Sequence, residues 1–266
     1  MYWWLAYIGL GVFTGFSAGM LGIGGGLVMV PVLTMLFAAQ AEFPINDVLH
    51  LALGTSIATI LFTSLASLRA HHQHDAVLWK IVLQITPGIL LGTLLGTLLA
   101  AQIPSKPLAL FFTVFVCCVA TQMALDIKPK PSRELPDATG IFAVGTGIGT
   151  MSALVAIGGG AFTVPFLTWC NVRVQNAIGT SAAIGFPIAL GGTLGYIYNG
   201  WGQANLPTLS FGFIYLPALA WMVPFSMLMA PLGAKLTHRL PVATLKRIFA
   251  YLLILLAAKM LWKLFS

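Results

Sequence analysis

Two glycine-rich segments are the places where the backbone of this chain could bind an anion. Each contains three consecutive glycines followed by an apolar stretch. Because we expect a helix to begin after each triplet, its unpaired N–H groups and the positive end of its dipole would face the break, and such an end attracts anions. Close helix packing is the alternative, since small residues dominate interfaces between membrane helices. The predicted backbone site comprises Gly24, Gly25, Gly26, Gly158, Gly159 and Gly160.

Hydroxyl groups follow each triplet in a repeated Gly-Thr-Ser element. They belong to Thr55 and Ser56 in the first copy and to Thr180 and Ser181 in the second. Hydroxyls cost far less to bury in a membrane than Lys or Arg, and they could complete a shell of donors around sulfur or carboxyl oxygens. They could equally bond back onto helix carbonyls. The sequence does not separate these two interpretations.

Other chemistries find little support in the residue pattern. The six carboxylates lie at the ends of apolar stretches or in loops, which argues against a carboxylate proton relay inside the membrane. His71, His72 and His74 with Asp75 lie in a short charged segment. We predict that this segment is a solvated cytoplasmic loop, because a metal site would need a second set of ligands. We therefore predict that the protein is not an enzyme and that it uses no metal and no cofactor.

The composition identifies the environment that must position these groups. Of 266 residues, 59% are hydrophobic and 7% are charged, whereas an ordinary soluble domain carries about 25% charged residues. Uncharged stretches recur along the chain. Their length is close to the roughly 20 residues that a helix needs to span a bilayer. They do not alternate in polarity, as the strands of a membrane β-barrel would. The sequence predicts an all-α, polytopic membrane helix bundle.

The chain contains two internal repeats. Ile23-Gly24-Gly25-Gly26 recurs as Ile157-Gly158-Gly159-Gly160, and Gly54-Thr55-Ser56 recurs as Gly179-Thr180-Ser181. Pro87 and Gly96 recur in the same order as Pro224 and Gly233. We predict a first membrane repeat over 1–126, a charged, proline-rich cytoplasmic linker over 127–137, and a second membrane repeat over 138–266.

The opening segment of each repeat cannot be one ordinary membrane span. In the first repeat it runs over 37 residues, from Trp3 to Ala39, and would form a helix of about 55 Å against a bilayer core of about 30 Å. Glycine is a poor helix former and tolerates sharp turns, so we predict two helical arms with a broken centre. Counting each opening as one segment gives about eight spans, and counting the arms separately gives ten segments.

Basic residues favour a hairpin over a single broken crossing. They lie between the hydrophobic stretches, which argues against a nucleic-acid surface and for a role in topology. A single crossing puts seven on one side of the membrane and six on the other. A hairpin inverts the repeats and leaves three of the thirteen opposite the rest. The three are Lys106, Lys259 and Lys263. We predict inverted repeats with both termini outside the cytoplasm.

The repeated motifs resemble those of the TauE/SafE sulfite exporter family, also called the toluene sulfonate uptake permease family. The resemblance rests on the glycine-rich openings, Gly15 to Pro31 and Gly147 to Pro165, and on the Gly-Thr-Ser elements. It covers essentially the whole chain. It implies a multi-pass protein of a bacterial or archaeal cytoplasmic (inner) membrane that moves sulfite, sulfonates or related small anions.

The sequence thus predicts a transporter, and in particular an exporter, of a small anion such as sulfite or an organosulfonate. The site is predicted at the membrane midplane, between the two glycine-rich helix breaks. The partners expected are a small anionic substrate and the lipid bilayer, and no nucleic acid. Whether the chain forms a homo-oligomer is left open. The alternatives are a membrane-embedded interaction protein, or a transporter of a different small organic or reduced sulfur anion. A reduced sulfur species could pass Cys117, Cys118 or Cys170.

Overall fold

The computed structural model describes residues 2–22, 25–125, 132–203, 205–237 and 242–265. This part of the chain forms ten α-helices and one two-stranded antiparallel hairpin. The elements are α1 (Trp3–Leu21), α2 (Gly26–Ala38), α3 (Val48–His72), α4 (Trp79–Gln102), α5 (Ser105–Ala124), α6 (Ala138–Leu154), α7 (Gly160–Trp169), α8 (Val174–Gly200), β1 (Ser210–Phe211), β2 (Ile214–Tyr215), α9 (Leu216–Thr237) and α10 (Val242–Phe265). Five of them, α3, α4, α5, α8 and α9, are long and apolar enough to cross a membrane. The predicted polytopic helical fold is confirmed.

Both opening segments fold back on themselves. The amide of Gln40, just beyond α2, donates to the Tyr7 hydroxyl near the start of α1 at 3.1 Å, and the rings of Tyr7 and Phe37 lie 6.4 Å apart. In the second half, the backbone N–H of Ser132, before α6, donates to the carbonyl of Trp169 at the end of α7 at 3.2 Å. Each pair of arms is therefore an antiparallel helical hairpin.

The hairpins lock the two halves together by close glycine contacts. Gly11, Gly15 and Gly19 lie one helical turn apart along α1 and face the backbone of α9 in the other half. A Cβ at Gly15 would overlap the carbonyl oxygen of Ser226, and one at Gly19 would overlap that of Ala230. Small residues allow membrane helices to approach this closely.

The second hairpin makes the equivalent contact with the first half. Gly88, Gly92 and Gly96 of α4 face the backbone of α6, and a Cβ at Gly92 would overlap the carbonyl oxygen of Thr146. Gly149 on α6 lies equally close to α4. The first helix of each half therefore packs on the penultimate helix of the other half, so neither half is complete by itself.

The central helices are α3 and α8, which are largely buried, whereas α4, α5 and α10 carry many of the exposed large apolar side chains. An exposed apolar surface of this kind suits contact with lipid. Three basic residues, Arg69, Lys80 and Arg173, lie at one end of the bundle. The N–H of Leu78 donates to Thr180 Oγ1 at 3.0 Å, which places the loop between Arg69 and Lys80 beside the start of α8 at Arg173. The membrane orientation of this end stays a prediction.

Candidate functional site

The middle glycines of the two triplets have nearly identical backbone conformations. Gly25 is the N-cap of α2 with φ 77°, and Gly159 is the N-cap of α7 with φ 79°. Both angles lie in the left-handed region, which glycine adopts without strain. Helices begin at Gly26 and Gly160, as the sequence predicts. Gly24 lies outside the described residues.

The breaks of the two halves touch each other. A Cβ on Gly26 would overlap the carbonyl oxygen of Ala156, which itself has a positive φ of 46°. Gly158 also contacts α8, because a Cβ on Gly185 would lie 3.1 Å from its carbonyl oxygen. Gly26 of the first triplet therefore lies against the segment just before the second triplet, and a shared site between the triplets stays a prediction.

A small cavity lies where the breaks meet α3 and α8. It has a volume of about 10 Å³, which is about enough for one water molecule. Its lining residues are Ala18, Gly22, Ile60, Ser64, Ser67, Gly158, Ala182 and Gly185. None of them is charged, so the polar groups available to a guest are hydroxyls and backbone. The cavity is closed to anything much larger than water.

Two serines on α3 are the polar side chains of this cavity, and sequence reasoning missed both. Ser64 is 5% exposed, and its Oγ donates to the carbonyl of Leu61 at 3.0 Å. Ser67 is 2% exposed, and its Oγ has no hydrogen-bond partner among the described residues. They lie three residues apart and so share a helix face. Comparison with the second repeat was the one available signal, because no serine occupies the equivalent positions there.

The threonines of the Gly-Thr-Ser elements accept hydrogen bonds from the backbone of loops in the opposite half. Thr55 Oγ1 accepts from the N–H of Tyr215 at 2.9 Å, and Thr180 Oγ1 accepts from the N–H of Leu78 at 3.0 Å. Tyr215 directly precedes α9 and Leu78 directly precedes α4. Each of these helices is the penultimate helix of the half opposite to the threonine. The glycine before each threonine lets the loop backbone come close. Neither threonine lines the cavity.

The two serines of these elements differ in their hydrogen bonds. Ser181 Oγ donates to the carbonyl of Gly22, at the end of α1, at 3.2 Å. Ser56 is fully buried, and its Oγ has no partner in the described part of the chain. Neither serine contributes to the cavity wall as the structure stands.

The expectation of a solvated segment was wrong for His71, whereas His72, His74 and Asp75 are exposed. His71 is fully buried in the last turn of α3, with Nε2 3.0 Å from the carbonyl oxygen of Gly19 on α1. In the second repeat, the Tyr196 hydroxyl on α8 donates to the carbonyl of Ala153 on α6 at 3.0 Å. Both central helices are therefore tied to the opening helix of their own half at equivalent positions.

Comparison with known proteins agrees with this architecture. The model of the family described as sulfite exporter TauE/SafE matches residues 7–260 of the chain. The chain is 38% identical, over 96% of each sequence, to a protein of Haemophilus influenzae named probable membrane transporter protein. It is 27% identical to YdhB of Bacillus subtilis, over 87% of this chain and 89% of YdhB, and 28% identical to a protein of Methanocaldococcus jannaschii, over 87% and 85%. Both carry the same description. No solved structure matches the chain.

Proposed function

We propose that this chain, which belongs to the sulfite exporter TauE/SafE family, exports a small anion such as sulfite or an organosulfonate. It is a multi-pass membrane transporter of that family. The relatives it matches are bacterial and archaeal, which supports a bacterial or archaeal cytoplasmic membrane as its location. The family membership also argues against enzyme activity.

The observation that carries the proposal is the meeting of the two helix breaks. Helix α2 begins at this meeting point and α7 begins four residues after Ala156, and the first N–H groups of a helix have no partner within it. Inverted-repeat transporters place their sites between such discontinuous helices, with the positive dipole ends toward anionic groups. The six glycines of the triplets are the groups proposed to surround the anion as it passes. Ser181, which donates to the Gly22 carbonyl, and Ser56 of the first Gly-Thr-Ser element are proposed to assist them.

The membrane potential is sufficient to drive export. An inside-negative potential of 100 mV favours the exit of a monovalent anion by about 2.3 kcal/mol. No carboxylate lines the cavity, so the proposed route does not require a proton relay at that point. Export down the electrical gradient needs no coupling ion.

Transport requires a second conformation. The cavity of about 10 Å³ holds about one water molecule, and a sulfite ion is larger. The positive-φ glycines Gly25 and Gly159 are the places where a hairpin arm can turn with little strain. We propose that one hairpin tip moves away from the other to admit the anion, and that the structure shows the closed form.

The direct test is anion flux in proteoliposomes, with the membrane potential clamped first at zero and then negative inside the compartment that holds the anion. Sulfite, methanesulfonate, sulfate and chloride are compared. Saturable sulfite or sulfonate flux that increases with the potential supports the exporter. Flux of none of these anions, from protein that elutes as a single folded species, overturns the proposal and favours a membrane-embedded interaction protein.

Passage of a reduced sulfur species past the thiols is the other alternative. Cys117 and Cys118 lie on α5 and Cys170 lies just after α7, and none of them lines the cavity. A variant with all three cysteines replaced by alanine should keep its anion flux. Loss of flux in a folded cysteine-free protein would favour the thiol route.

A further inference from the structure

We propose that Ser64 and Ser67 of α3 bind the transported anion directly, and that the site accepts the anion with a single negative charge. This inference rests on the proposed function and deepens it. It names the side chains of the site and the charge state of the substrate, which the glycine breaks alone do not.

The first observation is the condition of the Ser67 hydroxyl. It lines the cavity, is 2% exposed, and lacks a hydrogen-bond partner among the described residues. Buried polar groups in native proteins are nearly always hydrogen-bonded, and an unpaired one calls for a specific explanation. A ligand that enters the cavity provides that explanation. Ser64 lies one turn earlier on the same face, and its hydroxyl bonds only its own helix.

The second observation is that only the first half carries hydroxyls at these positions. The Gly-Thr-Ser elements set α3 and α8 in register with an offset of 125 residues. Ser64 then corresponds to Ala189, and Ser67 corresponds to Gly192. The same architecture therefore packs in the second half without either hydroxyl. At Gly192 a Cβ would overlap the Ile57 side chain, so α8 has no room for a hydroxyl there, whereas Ser67 on α3 borders the cavity.

The third observation concerns charge. The cavity wall contains small residues, one isoleucine and the two serines, and it contains no lysine, arginine or histidine. The first two titratable side chains that follow Ser67 on α3 are Arg69, which is exposed, and His71, which is buried and bonds the Gly19 carbonyl. Hydroxyls and backbone N–H groups can replace the hydration of one diffuse charge. A second charge without a cation beside it is far more costly to bury. The site therefore suits hydrogensulfite or a sulfonate, and disfavours the sulfite and sulfate dianions.

The side-chain claim is tested with Ser64→Ala and Ser67→Ala. Ser152→Ala is the matched control, because Ser152 on α6 is fully buried and its Oγ also lacks a partner among the described residues, yet it does not line the cavity. A hydrogen bond to a charged group is worth enough for about a tenfold loss. We expect each α3 variant to raise the half-saturating sulfite concentration about tenfold and the control to leave it unchanged.

The charge claim is tested by the pH dependence of wild-type flux at a fixed total concentration. Hydrogensulfite loses its proton near neutral pH, whereas methanesulfonate keeps one negative charge throughout. We expect sulfite flux to fall from mildly acidic to mildly alkaline pH and methanesulfonate flux to stay level. Sulfite flux that rises with pH, or sulfate flux that matches it, would overturn the single-charge assignment.

The outcomes separate this inference from the function on which it rests. If the wild-type protein moves none of the four anions, the proposed function itself fails. If the wild type moves sulfite and both α3 variants match Ser152→Ala in flux and in thermal unfolding, the exporter stands and the serine site is wrong. If the α3 variants unfold at a lower temperature than the control and lose flux only in proportion to the folded fraction, the hydroxyls are structural and the inference is also wrong.

Discussion

The two central helices, α3 and α8, share one scaffold but differ in the chemistry they offer. Thr55 on α3 and Thr180 on α8 accept the same kind of loop N–H from the opposite half. Farther along, His71 and Tyr196 bond equivalent carbonyls on the opening helices. The groups that hold the halves together are therefore duplicated.

Between these shared bonds the helices diverge. The face of α3 that borders the cavity carries Ser64 and Ser67, where α8 has Ala189 and Gly192. This difference between the two cavity-facing helices is the basis of the proposal that Ser64 and Ser67 bind the anion. Symmetry in this molecule identifies structural groups, and departures from it identify candidate functional ones.

The largest effect is expected where the two breaks touch. Gly26→Ala places a Cβ against the Ala156 carbonyl, and overpacking of this kind typically costs about 1–3 kcal/mol or more. We expect the variant to unfold at a lower temperature and to lose nearly all flux, because the breaks can no longer meet. Gly147→Ala is the control, since a Cβ there meets nothing within 4 Å. Normal flux from Gly26→Ala would show that transport does not depend on contact between the two breaks.

The exchanged hairpin contacts should respond equally in the two halves. Gly15 and Gly149 occupy equivalent positions, and a Cβ on either would overlap a backbone carbonyl of the opposing helix, at Ser226 and Ile89 respectively. We expect Gly15→Ala and Gly149→Ala each to destabilise the protein by about 1–3 kcal/mol. Thermal unfolding in detergent measures both. A large loss in one half with none in the other would break the equivalence of the two contacts.

The loop-holding threonines come next in size. Thr55→Val and Thr180→Val keep the shape of the side chain but remove the acceptor for the N–H of Tyr215 or Leu78. An unsatisfied buried N–H costs about 1–3 kcal/mol. We expect similar destabilisation from each, with flux per folded molecule retained. If flux falls while the unfolding temperature holds, these hydroxyls bind substrate as the sequence interpretation allowed.

The smallest effect is expected for the hydrogen bonds that join α3 and α8 to the opening helices, α1 and α6. Tyr196→Phe removes one hydrogen bond to the carbonyl of Ala153, and His71→Phe removes the corresponding bond to Gly19. A typical hydrogen bond contributes about 0.5–1.5 kcal/mol, so each variant should show a small drop in unfolding temperature. A much larger loss of flux in His71→Phe than in Tyr196→Phe would add the histidine to the functional asymmetry.

Several features of the fold were predictable because they depend on short-range pattern. The apolar stretches require spanning helices, and a chain of 37 residues cannot cross a bilayer as one ordinary helix. Glycine triplets stop and restart helices, so the starts of α2 and α7 at Gly26 and Gly160 follow directly. The distribution of basic residues also favoured a hairpin for each opening segment.

The candidate site was predictable only in part. Glycines at the breaks are distinctive, because their spacing repeats. Ser64 and Ser67 were not distinctive, because a helix rich in Thr and Ser offers many hydroxyls that can bond back to their own helix. His71 was misplaced, because its charged neighbours resemble a loop and α3 continues through them to His72.

The sequence by itself determined the membrane environment, the duplication and the position of each helix break. These properties follow from composition and from local backbone preferences. Only the tertiary structure decided that each opening helix packs on the opposite half, that the Thr55 and Thr180 hydroxyls face backbone N–H groups, and that the Ser67 hydroxyl faces a cavity. The direction in which a hydroxyl points depends on contacts between residues more than a hundred positions apart, and no local pattern encodes them.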